Sequence, residues 1–600
     1  VFTRPPSQIL AKVKYILNHA GMSVTGEIDN NEYQKWLETY QKIFDPGPAK
    51  IISKIKSMEV RPLISILLPV YNPRINWFRE AIQSVMDQTY TNWELCIADD
   101  ASTNLHVIAE LKRIQKSDKR IKVIFRKENG HISEATNSAL SLAGGEWVTL
   151  LDQDDLFHRN ALFWAALAMN NHKDTQLIYS DEDKIDKNNG RENAYFKPGW
   201  NYNQFLTQNI ISHLGVYKRS VMLQIGGFQK GMEGSQDYDM ALRYIEQIDQ
   251  SKIVHIPRTL YHWRIHPKST AATIESKPYA VTAGKKALEA HFKRTSQDAS
   301  VEVLPINYYR IHWHLPLEKP EICIVIPTRN NKLTLEKCIN SIFEKTTWEN
   351  YKILIVNNDS DDAETVHYLH SISKNEIVEL LDYNHPFNYS AINNFALKRV
   401  DAEYVCLLND DVEIISPDWL KELAGPMQQK DVAVVGGRLW YPNGTLQHGG
   451  VVLGVGGVGG HVHKFLPMGE VGYFGKTNIC CEYSAVTAAC MLIKRSVFIQ
   501  SGGFDEENLA VAFNDVDLCI KIRELGYKIV YTPFAELYHH ESLSRGNDFD
   551  QDKLTRFMTE NEFMLKKWDK WINNDPAYNP NLTLGAENYS LSYPPRLQKL

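Results

Sequence analysis

A chain of 600 residues is too long for one hydrophobic core, so two or more domains are expected. Its 43 % hydrophobic and 23 % charged residues are those of a folded globular protein, which excludes disorder as the main state. A net charge of −6 with no Lys/Arg block argues against a nucleic-acid-binding face, and the lack of a window of about 18 apolar residues argues against a membrane span.

The N-terminus, Val1-Phe2-Thr3-Arg4-Pro5-Pro6, reads as neither a signal nor a transit peptide. Residues 1–60 are predicted helical: Ile9, Val13, Ile16 and Leu17 recur at helical spacing, as do Tyr33, Trp36, Leu37, Tyr40 and Ile43, until Asp45-Pro46-Gly47-Pro48 interrupts. The aromatic stripe reads as a packing face toward the next domain. From Ile64 the pattern changes to strands at 64–72, 93–102 and 122–125, with helical spacing over 77–88. That alternation predicts an α/β fold with a parallel sheet, whose C-terminal rim would gather Pro69, Tyr71, Asp99, Asp100 and the acids at 152–155.

The apolar run 145–151 stops on Asp152-Gln153-Asp154-Asp155. Clustered acids repel one another unless a cation sits among them, so this cluster reads as a hard-metal site with oxygen ligands. Asp181-Glu182-Asp183-Lys184, after a predicted strand at 177–180, reads as a solvated turn. Neither GxGxxG nor GxxxxGK[ST] occurs, so a dinucleotide-binding loop and a P-loop are both unsupported. A nucleotidyltransferase is disfavoured for the same missing phosphate cradle.

The same order then returns. Pro327 follows Pro69 by 258 residues, Ser360 follows Ser102 by 258, and Asp411 follows Asp154 by 257, so the chain carries an internal duplication. Gly502-Gly503-Phe504 follows Gly226-Gly227-Phe228 by 276, which localises an insertion of about twenty residues in the second copy. The unusual segment there is 447–463, rich in Gly and carrying His448, His461 and His463. It reads as a flexible apolar flap over the site, with a three-His metal site as the alternative. The eight cysteines mostly fall in apolar runs without CxxC spacing, as expected of buried reduced thiols in a cytosolic protein. The tail after Asn574 reads as an extended wrap without a site. Trp568 and Trp571 with Lys566, Lys567 and Lys570 read as a helix packing face, with a peripheral contact to an anionic membrane as the alternative.

PVYNP at 69–73, AIQSVMDQTY at 81–90, ADDAST at 98–103, LLDQDD at 150–155 and GSQDYDMALR at 234–243 resemble the inverting family-2 glycosyltransferases of GT-A fold. The second series, IPTRNN, IVNNDS, LLNDDV, GGFDE and FNDVDLCIKIRELG, resembles the rhamnosyltransferase-like branch of that family. The resemblance covers nearly all of the chain after residue 60. It implies two tandem GT-A domains, at 61–315 and 316–575, between a helical segment at 1–60 and a tail at 576–600.

What the resemblance implies for the first copy is a nucleobase and ribose pocket at Pro69, Tyr71, Asp99 and Asp100, and a DxD at Asp152-Gln153-Asp154. Asp152 would face the ribose while Asp154 ligates Mn²⁺ or Mg²⁺ on the diphosphate. Asp237 would be the base, Asp239 a structural partner of Arg243, and Arg264, His266 and Lys268 a closing loop, with His266 a metal-ligand candidate. The run Asp181-Glu182-Asp183-Lys184 would orient the acceptor as readily as form a solvated turn. In the second copy Thr328, Arg329 and Asn358 take the nucleotide positions, and Asn409-Asp410-Asp411 replaces the DxD with Asp411 as metal ligand. Asp515 would be the base, residues 539–545 the closing loop with His540 as a metal-ligand candidate, and Trp440, Tyr441 and His448 would meet the acceptor. The implied donors are UDP- or dTDP-sugars and the acceptor an oligosaccharide or lipid-linked glycan, during synthesis of a bacterial surface polysaccharide in the cytoplasm or at the inner membrane face. The alternatives are that only the first copy is active, or that the second is a glycan-binding scaffold.

Overall fold

The computed structural model describes residues 28–266, 278–540 and 551–600. The helix expected around Ile9 and Leu17, Lys268 and the loop residues 541–545 lie outside the described residues.

Helical turns at Asn30–Trp36, Leu37–Gln41 and Lys42–Phe44 open the described chain, the first capped by the Asp29 carboxylate, which accepts the Glu32 N–H at 2.9 Å. The interruption at Pro46 and Gly47 falls where the sequence places it, and a new helix, Pro48–Ser57, starts on a proline. The aromatic stripe is a packing face. Tyr33 and Trp36 are buried against Phe196, and the Trp36 indole donates to the Ser592 carbonyl at 2.9 Å.

The first sheet holds β1 (Ile64–Val70), β2 (Trp93–Asp99), β3 (Ile121–Phe125), β4 (Trp147–Leu150), β5 (Leu156–Phe157), β6 (Leu177–Ile185), β7 (Arg191–Tyr195), β8 (Gly215–Lys218) and β9 (Ile253–Arg264), in the order β3-β2-β1-β4-β8-β6-β9-β5, with β7 beside β6. The expected parallel sheet is its first half, β3-β2-β1-β4; β8 then runs antiparallel to both β4 and β6, and β6 pairs β9 in parallel. Along β1, Ile64, Ile66, Leu68 and Val70 enter one core while Leu67 enters the other, so both faces are covered. Each such aliphatic side chain contributes about 1.5–3 kcal/mol on full burial.

A two-stranded sheet of β10 (Ala299–Val303) and β11 (Tyr309–Trp313) precedes the second copy. That copy contains β12 (Ile322–Thr328), β13 (Tyr351–Asn357), β14 (Val378–Asp382), β15 (Tyr404–Leu408), β16 (Val412–Ile414), β17 (Val432–Trp440), β18 (Leu446–His448), β19 (Val451–Leu453), β20 (Gly459–His461), β21 (Cys481–Glu482), β22 (Cys490–Lys494) and β23 (Lys528–His539). Its main sheet has the order β14-β13-β12-β15-β22-β17-β23-β16, which reproduces the first sheet strand for strand. The duplication seen as a sequence offset is therefore a duplication of topology.

The inserted segment 447–463 is not an exposed flap. β19 and β20 form a hairpin whose Val451, Val452, Leu453, Val455, Val458 and Val462 are buried in the second domain's core. The tail closes over it: the Gly456 N–H donates to the Leu584 carbonyl at 2.9 Å and the Leu453 N–H to Asp575 at 2.7 Å. Gly454, at φ +82°, passes so close to the Ile572 carbonyl that a Cβ would lie 2.4 Å from it. The apolar run that resembles a loop in sequence is thus a core element, because the tail supplies its missing cover.

The acid run at 181–183 lies within β6 and is buried, so it is no solvated turn. Asp183 accepts from Tyr33 at 2.8 Å and pairs with His262 at 2.6 Å; Lys197 pairs with Glu182 at 3.0 Å; and Asn579 of the tail donates to Asp181 at 2.9 Å. Further polar contacts join the copies, including Phe196 N–H to the Tyr473 hydroxyl at 2.8 Å and Gln429 to Asn203 at 2.8 Å. Trp568 is buried and donates to Asp517 at 2.8 Å, as a packing face does. All eight cysteines are free thiols and seven are buried. Among the described residues no helix is long and apolar enough to cross a membrane.

Candidate active sites at the two sheet rims

Each rim is built by strands that end together. In the first copy the Asn72 carboxamide oxygen accepts the N–H groups of Thr103 and Asn104, both at 3.0 Å, while the Asn72 N–H reaches Ser102 at 3.0 Å. Asn330, Asp361, Asp362 and Ser360 repeat this clasp in the second copy, and both Asn residues hold a left-handed backbone, φ 43° and 49°. Beside it lie the positions expected to line a nucleotide pocket. Tyr71 is 47 % exposed and its N–H donates to Gln153 at 2.9 Å. Asp100 is buried, pairs with Arg126 at 2.8 Å and accepts the Gly130 N–H at 3.0 Å. Asp99 is buried with its Oδ1 unpartnered, and burial pushes its carboxyl up. Asn358 donates to the carbonyls of Tyr383 and His385, leaving its own buried Oδ1 unpartnered. Each rim thus carries a buried side-chain acceptor, Asp99 Oδ1 or Asn358 Oδ1, without a donor among the described residues.

The acid loop of the first copy hangs on Tyr261. Its hydroxyl donates to Asp155 at 2.7 Å and accepts the Asp152 N–H at 3.2 Å, and its ring stacks on His213 at 4.3 Å. Asp155 also accepts the Arg264 N–H at 2.8 Å. Burial, then the charges of Asp154 and Asp152, hold its carboxyl well above the usual range. Asp154 pairs with His266 at 2.7 Å. Asp152, Asp155 and His213 present ligand atoms within 4.8 Å of one another, an oxygen, oxygen, nitrogen set that could hold a divalent cation. The Arg264 guanidinium is wholly covered, bound to the Asp154 carbonyl at 2.8 Å, Asn189 at 2.7 Å and Glu80 at 2.7 Å. Asp237, on the helix Gln236–Ile245, accepts from Asn209 at 2.9 Å; burial raises its carboxyl while His213 opposes the rise. Asp239 pairs with Arg243 at 2.6 Å and plays the structural part expected of it.

In the second copy Asp411 meets His539 at 3.1 Å, and His539 also faces the Asn409 amide at 3.4 Å and Gln447 at 2.7 Å. The expected His540 instead pairs with Glu413 at 3.2 Å. The reason is the period of two along β23: His539 pairs with Val412, next to Asp411, and its neighbour turns away. Asp410 accepts from Thr328 at 2.7 Å and Asn331 at 3.2 Å. Asp515, on the helix Asn514–Glu524, accepts the N–H groups of Ala488 and Val516 at 3.2 and 2.8 Å, and burial raises its carboxyl. No three-His cluster forms among the described residues: His448 meets His461 at 2.7 Å, whereas His463 accepts the Tyr473 N–H at 3.0 Å. Burial and two neighbouring histidines hold His448 well below the usual range, and burial takes His463 down to about 3. Trp440 is 2 % exposed, and its neighbour Tyr441 is the half-buried member that reaches the surface.

The family description Glycosyl transferase family 2 matches residues 65–226 and 323–499, one stretch on each rim. The chain belongs to glycosyl transferase family 2. A Sinorhizobium fredii protein, y4gI, is 45 % identical over 90 % of this chain and 60 % of its own length. The O-antigen biosynthesis protein RfbC of Myxococcus xanthus is 33 % identical over 91 % of this chain and 42 % of its own length. The chain thus spans less than two thirds of either relative. A crystal structure of GalNAc-T7 with UDP, GalNAc and Mn²⁺ is 15 % identical over 42 % of this chain and 50 % of its own, with a TM-score of 0.35.

For this family-2 glycosyltransferase, sequence reasoning missed His213 and His539 as rim ligand candidates. His213 precedes β8, in no local motif; only the antiparallel pairing of β8 with β4 carries it to the acid loop. Asp410 makes a test of the second rim. Burial raises its pKa to about 6 from 3.8, so its stabilising contribution is full below pH 3.8 and is lost as pH rises through about 6. Asp410→Asn is expected to raise stability at pH 8 by up to about 3 kcal/mol and to leave it unchanged near pH 3.5. Urea denaturation of both proteins across that pH range measures it.

Proposed function

We propose that both domains, 61–315 and 316–575, are active and that the protein transfers two sugars from nucleotide-diphospho-sugars, with inversion, to a growing bacterial surface glycan. The observation that carries this reading is the repeated pattern: an acid paired with a histidine, Asp154 with His266 and Asp411 with His539, and a half-buried carboxylate at the start of a helix, Asp237 or Asp515. In the first domain Asp152, Asp154, Asp155, His213 and His266 would hold Mn²⁺ or Mg²⁺; in the second, Asp411 and His539. The bound cation would supply charge neutralisation for the diphosphate leaving group. Pro69, Tyr71, Asp99 and Asp100 hold the nucleoside in the first domain, and Thr328, Arg329, Asn358, Asn409 and Asp410 do so in the second. Asp237 and Asp515 take the acceptor hydroxyl proton on the face opposite the departing diphosphate, and a carboxylate with a raised pKa is suited to that. UDP- or dTDP-sugars are the donors, and an oligosaccharide or lipid-linked glycan is the acceptor. RfbC, similar along most of this chain, is named for O-antigen biosynthesis, which supports a surface-glycan role.

The test is a screen of nucleotide-sugar turnover with and without Mn²⁺ on wild type, Asp154→Ala and Asp515→Ala. Each variant is expected to abolish a different transfer. Full activity of either variant on every donor and acceptor would refute two active sites, and turnover indifferent to chelation would refute the metal assignment.

A further inference from the structure

The insertion that distinguishes the second domain buries its strands, but the stretch that follows it is mostly exposed. There Phe465 is 59 % and Met468 50 % exposed. The Phe465 ring lies parallel to Tyr441, at 11° with centroids 5.5 Å apart, and the Lys464 ammonium stands 5.3 Å from one ring centroid and 6.0 Å from the other. Backbone hydrogen bonds strap this tip to the turn after β17: Phe465 N–H to the Leu446 carbonyl at 2.7 Å, Leu446 N–H to the Leu466 carbonyl at 2.8 Å, and Met468 N–H to the Gly444 carbonyl at 2.9 Å. Phe465 holds φ at +68°, a strained region for an aromatic residue, so the fold keeps this ring outward at a cost.

The strap also ties the tip to β18, whose Gln447 contacts the second rim. Leu446, which accepts from Phe465, precedes Gln447, and Gln447 contacts His539, which contacts Asp411. The corresponding turn of the first domain, Asp186-Lys187-Asn188-Asn189-Gly190, has no aromatic residue, and its Asn189 is spent on Arg264.

We infer that Tyr441, Lys464 and Phe465 form an acceptor subsite of the second domain that takes the apolar face of a pyranose ring. The flat aromatic surface covers ring C–H groups, and Lys464 donates to ring hydroxyls. An anionic lipid surface would call for several cations, whereas Lys464 is the one Lys or Arg between residues 441 and 470 and Glu470 offsets it. This inference rests on the second domain being a transferase, and its test is separable from that reading. Saturation-transfer NMR on the full chain with a panel of methyl pyranosides, including rhamnoside, glucoside, galactoside and mannoside, should show ring protons in contact. Phe465→Ala should weaken the best binder about tenfold, as the loss of one apolar ring face implies. Phe465→Trp should retain it. No pyranoside contact in wild type, or equal contact in Phe465→Ala, overturns the inference. So does flotation on phosphatidylglycerol vesicles that Phe465→Ala abolishes while pyranoside contact stays unchanged. Binding of UDP- and dTDP-sugars measured in the same samples tests the transferase reading by itself; its failure leaves the pyranoside result intact.

Discussion

Asp237→Asn is expected to lower the first transfer by about 10²–10⁴-fold, the usual contribution of a positioned general base, and to leave the second transfer intact. The replacement is isosteric and keeps an oxygen for the Asn209 amide, which now donates at 2.9 Å, so the helix Gln236–Ile245 should hold its place. Asp515→Asn should do the converse, because the Ala488 and Val516 N–H groups that orient this carboxylate still find an acceptor. The base must be ionised to work. Burial raises both carboxyls, so the acid limb of each kcat/KM profile should lie above the ordinary carboxylate range. Radiolabelled product formation with each donor, beside a Tm for each variant, measures this. Unchanged kcat with a normal Tm would remove Asp237 or Asp515 from the proposed chemistry.

The second large effect is on stability. Lys197→Met should cost about 3–5 kcal/mol, because it leaves the buried Glu182 carboxylate without its counter-charge. The Lys197 ammonium is 0 % exposed and donates to Glu182 at 3.0 Å, the Ile211 carbonyl at 2.9 Å and the His213 carbonyl at 2.7 Å. Glu182 in turn accepts the His213 N–H at 3.0 Å, so one ion pair grips both sides of the residue that faces Asp152 and Asp155. Urea midpoints should show the loss, and the double variant Lys197→Met with Glu182→Gln should recover much of it. A single variant as stable as wild type would mean that Glu182 is neutral in the fold.

Features that depend on local pattern were legible in the sequence. The strand period along 64–70 and 322–328, the Pro-Gly interruption after the first helices and the constant offset between the copies all follow from side-chain alternation, turn chemistry and order along the chain. The pairing of Asp239 with Arg243 followed from their spacing of four on one helix. What sequence could not give was any contact made across strands. His213 reaches the acid loop because it lies just before β8, which the sheet inserts between β4 and β6, and His539 rather than His540 faces Asp411 because of the register of β23 against β16.

By itself, then, the sequence determined that two like α/β domains follow one another and which acids stand at their rims, because both facts are written in short-range periodicity and in repetition. The tertiary structure decided the rest. It turned the Gly-rich insertion into core, because a tail more than a hundred residues later covers it. It placed Asn579 on Asp181 across 398 residues and so bound the end of the chain to the first domain. Burial, partner and register are properties of what packs against a residue, and only the folded chain specifies those.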